Sequence, residues 1–224
     1  MNFKIHFIPH CQSTNEEAKK LPHYSVIYTA SQTNGKGRMG RKWIDGKGNL
    51  MASIAIEKEQ NPHFYSFLIS LAVAKSISFL SPKIKWPNDI LIDGKKICGI
   101  LLETTEDKLI IGLGVNVQNH PKEGILYETT DLKELGYHIE EKKLLQDILQ
   151  NFSFMIELYH QKGFKQIRLE WLKFAYGIRK EISVRLLNTS LTGIFDGINE
   201  DGALILIDEK KQTYTITAGD VFMI

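Results

Sequence analysis

Residues 83–102 read Lys-Ile-Lys-Trp-Pro-Asn-Asp-Ile-Leu-Ile-Asp-Gly-Lys-Lys-Ile-Cys-Gly-Ile-Leu-Leu, and their pattern limits the kind of sheet this chain can build. Three β-rich runs lie within them: Lys83–Trp86, Asp89–Ile92 and Lys96–Leu102. The Asp-Gly pair at 93–94, between the second and third runs, is typical of a two-residue hairpin turn. Because such short connections join antiparallel strands, whereas parallel strands need long crossovers, the stretch predicts an antiparallel sheet.

The segments around this stretch predict helices that flank the sheet. Further β-rich runs lie at 3–8, Tyr24–Ala30, Leu50–Glu57 and Leu109–Val117. Apolar residues recur at helical spacing after Asn61-Pro62, from Glu140 to His160 and from Phe164 to Phe174. A short helix is predicted after Ser13, because Ser13 and Glu16 have the spacing of a capping box. The predicted fold class is α+β, with a mixed, largely antiparallel sheet flanked by helices.

The C-terminal part of the chain has a different pattern. From Glu181 onward, short β-rich runs alternate with Gly, Asn and Asp at turn positions. These last ~45 residues predict a small β-barrel or β-sandwich appended to the first domain. The boundary is predicted near Tyr176-Gly177, which gives domains at residues 1–176 and 177–224.

The composition is that of a globular protein whose charges nearly balance. The 224 residues are 43% hydrophobic and 24% charged, with a formal net charge of +2. So small a net charge argues against nucleic acid or an acidic membrane as an obligatory partner. The first residues lack the features of a secretory signal, and we therefore expect a cytoplasmic protein. Spacing leaves a disulfide between Cys11 and Cys98 open, but two reduced thiols are the simpler interpretation.

A second informative stretch, Gln32–Trp43, combines flexible backbone with positive charge. Three glycines lie among four cations and no acid, namely Gly35, Gly37, Gly40, Lys36, Arg38, Arg41 and Lys42. Glycine lets the backbone approach a ligand closely, and cations at this density suit a phosphate or carboxylate. The Gly-x-Gly-x-x-Gly spacing is that of the dinucleotide fingerprint, but the fingerprint must open a helix, and here a strand follows. The stretch therefore predicts either a cationic flap over an anion or a solvated basic loop.

The first stretch also carries side chains suited to phosphate chemistry. Lys85–Asp89 brings together a cation, an aromatic ring and the side-chain oxygens of Asn88 and Asp89. Such oxygens suit Mg²⁺, a hard cation usually shared with substrate phosphates. A Pro-Asn-Asp turn with a tryptophan packed beneath it is the structural alternative. Lys96 either directs its ammonium into a cleft, where Gly99 leaves room, or lies on the surface.

Taken in order, these motifs resemble those of biotin protein ligases from near residue 5 to the C-terminus. The matching motifs are Ser13-Thr14-Asn15, Gln32-Thr33-x-Gly35-x-Gly37-Arg38-x-Gly40-Arg41-x-Trp43, Lys85-Trp86-Pro87-Asn88-Asp89, Gly94-x-Lys96-x-x-Gly99-Ile100-Leu101 and Gly112-x-Gly114-x-Asn116. Residues 193–204 also resemble the small C-terminal barrel of that family. The resemblance implies a class II synthetase-like catalytic domain followed by an SH3-like β-barrel.

The resemblance also implies a two-step reaction. Biotin and ATP give biotinyl-5′-AMP and pyrophosphate, and the biotinyl group then passes to a lysine of a biotin carboxyl carrier protein. The carrier would belong to acetyl-CoA carboxylase or another biotin-dependent carboxylase. Because the biotin carboxylate and the α-phosphate are both anions, Arg38 and Lys96 are the catalytic candidates, helped by Mg²⁺ near Asn88 and Asp89.

The ligand contacts implied by the resemblance lie in every motif. They are Ser13, Thr14 and Gln32 around the biotin ring, with Asn15 in the same motif; Gly99 and Leu101 along its tail; Asn116 near the adenine; Lys96; and, in the loop, Gly35, Lys36, Gly37, Arg38, Arg41 and Trp43. The loop is expected to close over the bound ligand and keep water from the adenylate.

Two departures from the family pattern stand out. Lys36 replaces an arginine, which keeps the charge but loses the planar fork that binds an anion with two parallel hydrogen bonds. Too few residues precede Ser13 for a DNA-binding winged helix, so we expect the monofunctional ligase with no DNA and no membrane partner. A homodimer stays open.

Three alternatives are weighed against this interpretation. A lipoate ligase has a similar fold and also forms an acyl-adenylate, but the loop and the Lys-Trp-Pro-Asn-Asp motif together favour biotin. A nucleic-acid-binding protein could use Lys36–Lys42 as a phosphate patch, although the near-neutral total charge argues against it. A metal site at His6, His10 and Cys11 would be short of ligands.

Overall fold

The main sheet determines where the ligand-binding side chains lie. A computed structural model describes residues 2–44 and 46–224. The first strands are β1 Lys4–Cys11, β2 Ser25–Gln32, β3 Leu50–Glu57, β4 Lys83–Lys85, β5 Asp89–Ile92, β6 Lys95–Thr104 and β7 Lys108–Val115. In the described residues they form one sheet in the order β1-β2-β3-β7-β6-β5-β4. β1 and β2 are parallel and the other neighbours antiparallel, which confirms the predicted mixed, largely antiparallel sheet.

The hairpin predicted between β5 and β6 is present. Asp93 and Gly94 have φ angles of 48° and 80°. Positive φ at both central residues is the requirement of a type I′ turn, whose twist matches that of the strands it joins. The short turn makes β5 and β6 neighbours, and their antiparallel pairing confirms what the sequence predicts for this stretch.

Three helices flank the sheet in the described residues: α1 Thr14–Lys19, α2 Tyr65–Ser76 and α3 Glu141–Phe174. Gly163 interrupts α3 with a non-helical φ of 70°, at the place where the sequence predicts two separate helices. Among the described residues, no helix combines the length and apolar character that a membrane span needs.

The two faces of the sheet are covered differently. α2 and α3 pack on one face and form the main core with alternate residues of the central strands, such as Ile54 and Ile111. On the opposite face, Ala18 of α1 packs against Ile27 and Ala55 in a smaller cluster. Because successive strand residues point to opposite faces, the remaining positions of β6 and β7 are left for a site beside α1.

The C-terminal strands form a second sheet: β8 Glu181–Arg185, β9 Ser190–Ile198, β10 Leu204–Ile207, β11 Thr213–Ile216 and β12 Asp220–Met223. Neighbours are antiparallel, in the order β11-β10-β9-β8-β12. In the described residues β11 and β12 are the two edges, so strand pairing does not close the expected barrel. The division into residues 1–176 and 177–224 stays a prediction.

Candidate active site

A cavity of about 440 Å³ lies on the face of the main sheet opposite α2 and α3. Two sets of cross-strand partners line it: Leu101 opposite Gly112, and Gly99 between Asp89 and Gly114. Cross-strand partners lie on the same face of a sheet, and glycine adds no side chain above it. The three glycines therefore open the space that the cavity occupies.

One end of the cavity is a neutral polar pocket at the start of α1. Ser13, Thr14 and Asn15 are buried and line it. The Ser53 hydroxyl donates to Asn15 Oδ1 at 2.6 Å and lies 2.8 Å from Thr14 Oγ1. Gln32 lies beside them at the end of β2, with its Oε1 3.4 Å from the Thr14 N–H. Hydroxyl and amide groups offer donors and acceptors without charge, so this end suits a neutral polar ring.

The capping box predicted at Ser13 and Glu16 is wrong. Ser13 precedes α1, but its side chain makes no capping hydrogen bond. Glu16 instead pairs with Lys36 at 2.5 Å and Lys19 at 2.9 Å. Hydrogen bonds from Lys36 and Lys19 lower the pKa of Glu16 to about 2. The charge that replaces the family arginine is therefore directed to the surface of α1.

The glycine-cation loop is a small hairpin over the cavity. Gly37 N–H donates to Arg41 O at 2.7 Å, and Trp43 N–H donates to Gly35 O at 3.0 Å. Met39 at the tip has a φ of 54°, a left-handed conformation that is uncommon outside glycine. These contacts support a folded flap rather than a solvated loop.

The indole of Trp43 packs on the glycines of the sheet. A Cβ atom on Gly114 would lie 2.3 Å from Trp43 Cε2, and one on Gly99 would lie 2.8 Å from Trp43 Cζ3. Real carbon atoms do not approach so closely. Both positions must therefore be glycine for the Trp43 ring to pack here. Through this packing the end of the flap is held against β6 and β7.

Lys96 reaches the cavity because of a β-bulge. Pairing between β5 and β6 shifts after Ile90, which leaves Ile97 as an extra residue on β6. A bulge turns the side chains that follow it toward the other face. Lys96 thus lies on the face of Asp89, with its Nζ 2.7 Å from Asp89 Oδ1.

Arg38 approaches the same centre from the flap. Its Nη1 donates to Asn88 Oδ1 at 3.0 Å, and Asn88 Nδ2 donates to Ile100 O at 2.7 Å. The guanidinium is half-buried, and burial lowers the pKa of Arg38 below its usual value without discharging it. Arg38 and Lys96 therefore bring two positive charges toward the middle of the cavity.

The predicted Mg²⁺ ligands already have cationic partners. Asn88 Oδ1 accepts from Arg38, and Asp89 Oδ1 pairs with Lys96. A divalent ion at these two oxygens would stand within contact distance of both positive charges. The residues do not fit a protein-held Mg²⁺ in this arrangement, and the metal role predicted for Asn88 and Asp89 gains no support from it.

The other end of the cavity offers an unpaired acceptor. Asn116 is 1% exposed and lines the cavity. Its Nδ2 donates to Thr130 O at 3.0 Å, but its buried Oδ1 has no hydrogen-bond partner among the described residues. A buried acceptor left without a donor costs about 1–3 kcal/mol, so this atom suits a ligand that brings an N–H.

Three residues near the centre have no assigned role in the sequence prediction: Lys85, Tyr127 and Asp220. Lys85 Nζ lies 3.0 Å from the ring centroid of Tyr127 and 3.9 Å from Asp89 Oδ2. Burial lowers the pKa of Lys85 to about 8. Asp220 of β12 lines the cavity and pairs with Arg41 at 2.9 Å. Tyr127 and Asp220 belong to no recognisable motif. They line the cavity only because the folded chain brings distant segments together.

The cavity gathers the predicted site residues from all five motifs. Those that line it are Ser13, Thr14, Asn15, Gln32, Lys36, Gly37, Arg38, Arg41, Trp43, Asn88, Asp89, Lys96, Gly99, Leu101 and Asn116. Gly35 does not line the cavity. It lies at the base of the loop hairpin opposite Trp43, where a Cβ atom would lie 2.7 Å from the Trp43 carbonyl oxygen.

The alternatives from the sequence gain no support from this geometry. Lys36, Arg38 and Arg41 contact groups of the protein itself, which is not how an open phosphate patch for nucleic acid is arranged. In the described part of the chain, His6, His10 and Cys11 do not bring ligand atoms together; the one such cluster found there is formed by His120, Asp131 and Glu134.

Comparisons with known proteins agree with these motifs. Residues 7–116 match the Biotin/lipoate A/B protein ligase family, and residues 178–223 match the biotin protein ligase C-terminal domain. The Bifunctional ligase/repressor BirA of Bacillus subtilis is 34% identical over 225 residues, covering 90% of this chain and 69% of that protein. A Biotin--[acetyl-CoA-carboxylase] ligase of Paracoccus denitrificans is 30% identical, covering 94% of this chain and 96% of that protein.

A solved structure has the same fold. The Biotin protein ligase from Aquifex aeolicus, in complex with biotin and ATP, superposes with a TM-score of 0.88 at 27% identity. The match covers 98% of this chain and 97% of that chain. Both sheets are therefore included in the similarity.

Proposed function

We propose the reaction of this chain from its relatives: it belongs to the biotin protein ligase family. It is an ATP-dependent biotin--[biotin carboxyl-carrier protein] ligase that acts on carrier proteins of carboxylases. Its ligands are biotin and ATP. In the first step two anions, the biotin carboxylate and the α-phosphate, must come together. The observation that supports such a site is the position of Arg38 and Lys96 in the cavity, between the neutral polar pocket and the unpaired Oδ1 of Asn116.

In the first step a carboxylate oxygen of biotin attacks the α-phosphorus of ATP. The bond from that phosphorus to the bridging oxygen breaks, and pyrophosphate leaves. Arg38 and Lys96 neutralise the charge that builds up on the phosphoryl oxygens, and they are held ready for it by Asn88 and Asp89. Preorganised charges of this kind need little rearrangement as the reaction proceeds.

The ends of the cavity orient the two substrates. Ser13, Thr14 and Gln32 hydrogen-bond the ureido ring of biotin, whose tail lies along Gly99 and Leu101. The adenine amino group donates to Asn116 Oδ1, the acceptor that otherwise has no partner. The reacting carboxylate and phosphate then meet at the centre, next to the cations.

In the second step the amine of a carrier lysine attacks the acyl carbon and AMP leaves. The flap formed by residues 35–43 covers the mixed anhydride until then and keeps water out. Mg²⁺, when carried in by ATP, supplies additional positive charge to the phosphates. We assign it no protein ligand, because the oxygens of Asn88 and Asp89 already have cationic partners.

The carrier is the biotin carboxyl carrier protein of acetyl-CoA carboxylase or another biotin-dependent carboxylase, and the enzyme acts in the cytoplasm, without DNA, as a monomer or homodimer. Residues 1–176 form the catalytic domain and 177–224 a C-terminal domain.

Mass spectrometry of a purified carrier domain tests the function. The domain is incubated with the enzyme, Mg·ATP and biotin, with omission of each component and substitution of the acceptor lysine as controls. We expect a gain of one biotinyl group only in the complete reaction. A gain with lipoate in place of biotin would identify a lipoate ligase instead, and no gain with either acid would overturn the proposal.

A further inference from the structure

The C-terminal sheet contributes a carboxylate to the cavity. Asp220 is the first residue of β12, an edge strand that pairs with β8 through four cross-strand partners. Its side chain is 16% exposed, and its Oδ1 lies 2.9 Å from Arg41 Nη2 of the flap. This contact joins two parts of the chain that are 179 residues apart.

Arg41 contacts the rest of the flap with the same guanidinium. Its Nε donates to the carbonyl oxygen of Arg38 at 3.1 Å, and its backbone N–H donates to that oxygen at the same distance. The turn closed in this way contains Met39, whose left-handed conformation is unfavourable outside glycine. Arg41 therefore holds the turn closed while Asp220 holds Arg41.

The contacts continue to the reacting centre. Arg38, the first residue of this turn, donates to Oδ1 of Asn88, the residue that precedes β5. Asp220 also attracts the Arg38 guanidinium, and among the charges that act on its pKa Asp220 has the largest effect. A line of contacts thus runs from β12 through Arg41 and Arg38 to the strand that carries Asp89.

The position of β12 is itself fixed by packing on the catalytic side. Phe222, two residues beyond Asp220, lies with its ring 5.2 Å from that of Tyr127. Residues two apart on a strand point to the same side, so Asp220 lies on the side of β12 that packs on Tyr127 through Phe222. The carboxylate is therefore held at a defined distance from the flap rather than on a mobile tail.

We propose that Asp220 is a positioning residue of the flap: it holds Arg41 on the Arg38 carbonyl and thereby keeps Arg38 over the bound adenylate. This inference rests on the proposed function, because the adenylate is the ligand that the flap retains. The C-terminal sheet then contributes to catalysis through retention of the intermediate and not through contact with the reacting atoms.

The matched control is a second carboxylate of the same sheet. Asp196 of β9 pairs with Arg179, far along the chain from the flap, and does not line the cavity. Asp220→Asn and Asp196→Asn each remove one charge and keep the side-chain shape. Arg41→Gln and the double variant Arg41→Gln with Asp220→Asn show whether Asp220 acts through Arg41.

Two measurements are made on all four variants of the full chain. The first is the half-life of enzyme-bound biotinyl-AMP during a chase with unlabelled biotin. The second is the rate of tryptic cleavage after Arg38, a site that all four variants keep, without any ligand; it reports flap order even if the proposed reaction is wrong. Thermal unfolding shows that each variant is folded.

We expect Asp220→Asn to speed both adenylate release and tryptic cleavage about threefold to tenfold, as loss of a partly buried ion pair allows. Asp196→Asn should match the wild type, and the double variant should release adenylate no faster than Arg41→Gln. Wild-type release and cleavage rates in Asp220→Asn, or additive effects in the double variant, would overturn the inference. A wild-type chain that forms no biotinyl-AMP would overturn the proposed function, while the cleavage rates would still test the position of the flap.

Discussion

Asp89 lies between two ammonium groups, that of Lys96 at 2.7 Å and that of Lys85 at 3.9 Å. The lysines differ in their surroundings. The Lys96 side chain is 22% exposed and borders the cavity, whereas Lys85 is buried beneath Tyr127. At the residue scale, one carboxylate therefore orients a cation toward the ligand and also compensates a second cation that has lost its water.

Lys96→Ala should slow adenylate formation by a factor on the order of 10² or more, because it removes a preorganised charge from the transition state. Biotin-dependent pyrophosphate release in a single turnover measures this. Lys95→Ala is the matched control, since Lys95 is the exposed neighbour on the same strand. Pyrophosphate release by Lys96→Ala at the rate of Lys95→Ala would contradict the catalytic role.

Lys85→Met should raise the free energy of unfolding at pH 7 by about 1–3 kcal/mol, because burial disfavours the charged lysine and Asp89 keeps Lys96 as its partner. Burial lowers the pKa of Lys85 to about 8 from the ordinary 10.5, so the unfolded chain binds more protons between these values. The penalty is fully present below about pH 8 and disappears as the pH rises toward 10.5.

Urea unfolding of Lys85→Met and the wild type at pH 7 and pH 9.5 measures this difference. The advantage of the variant should be smaller at pH 9.5. An advantage that is equal or larger at the higher pH would show that Lys85 is not the group responsible.

At the scale of elements, the sequence predicts the strands well, but it predicts poorly on which face of the sheet some side chains lie. Leu50–Glu57 and Asp89–Ile92 are strands with the predicted bounds, because β-rich runs and turn residues are local signals. Strict alternation would place Lys96 and Gly99 on opposite faces of β6. The bulge at Ile97 brings them to one face, and a bulge has no local signature here.

The packing of the Trp43 ring on Gly99 and Gly114 is a second feature that depends on pairing between strands. The resemblance places Gly99 along the biotin tail and includes Gly114 in another motif, but only the register of β6 and β7 makes them direct partners. Together they leave a flat area for an indole that comes from another part of the chain. Sequence patterns carry no information about such a three-way contact.

Gly114→Ala should lower the free energy of unfolding by about 1–3 kcal/mol, because its Cβ would overlap the Trp43 ring. The same change made in a Trp43→Leu background should cost less than about 1 kcal/mol, since the smaller side chain can move away. Guanidinium unfolding of the four proteins measures both costs. Equal costs in the two backgrounds would mean that the alanine clashes with something other than Trp43.

At the scale of the whole molecule, the Lys85–Asp89 motif, which carries Asn88 and Asp89 into the cavity, also joins the main sheet to the C-terminal sheet. The Trp86 indole is 3% exposed, and its Nε1 donates at 3.0 Å to the Gly202 carbonyl, in the turn between β9 and β10 of the C-terminal sheet. Tyr176 N–H donates to Ile84 O at 2.9 Å close by. The tryptophan thus connects the turn before Asp89 to the C-terminal sheet, a long-range contact that no spacing rule predicts.

Trp86→Phe should cost more stability than Trp171→Phe, by about 1–3 kcal/mol, because it leaves the Gly202 carbonyl buried without a donor. Trp171 is the matched control: it is fully buried, and its indole N–H has no partner among the described residues. Chemical unfolding of both variants gives the difference. Equal losses would show that packing alone, and not the hydrogen bond between the sheets, accounts for the role of Trp86.

The contact between Arg41 and Asp220 also has a consequence for how the chain is made. The two residues are 179 positions apart, so a ribosome adding about 5–20 residues per second completes the partner roughly 10–40 seconds after the arginine. During that interval the flap can fold over β6 and β7 but has no carboxylate to hold it. The ion pair that positions the flap is therefore among the last side-chain contacts that synthesis of the chain allows.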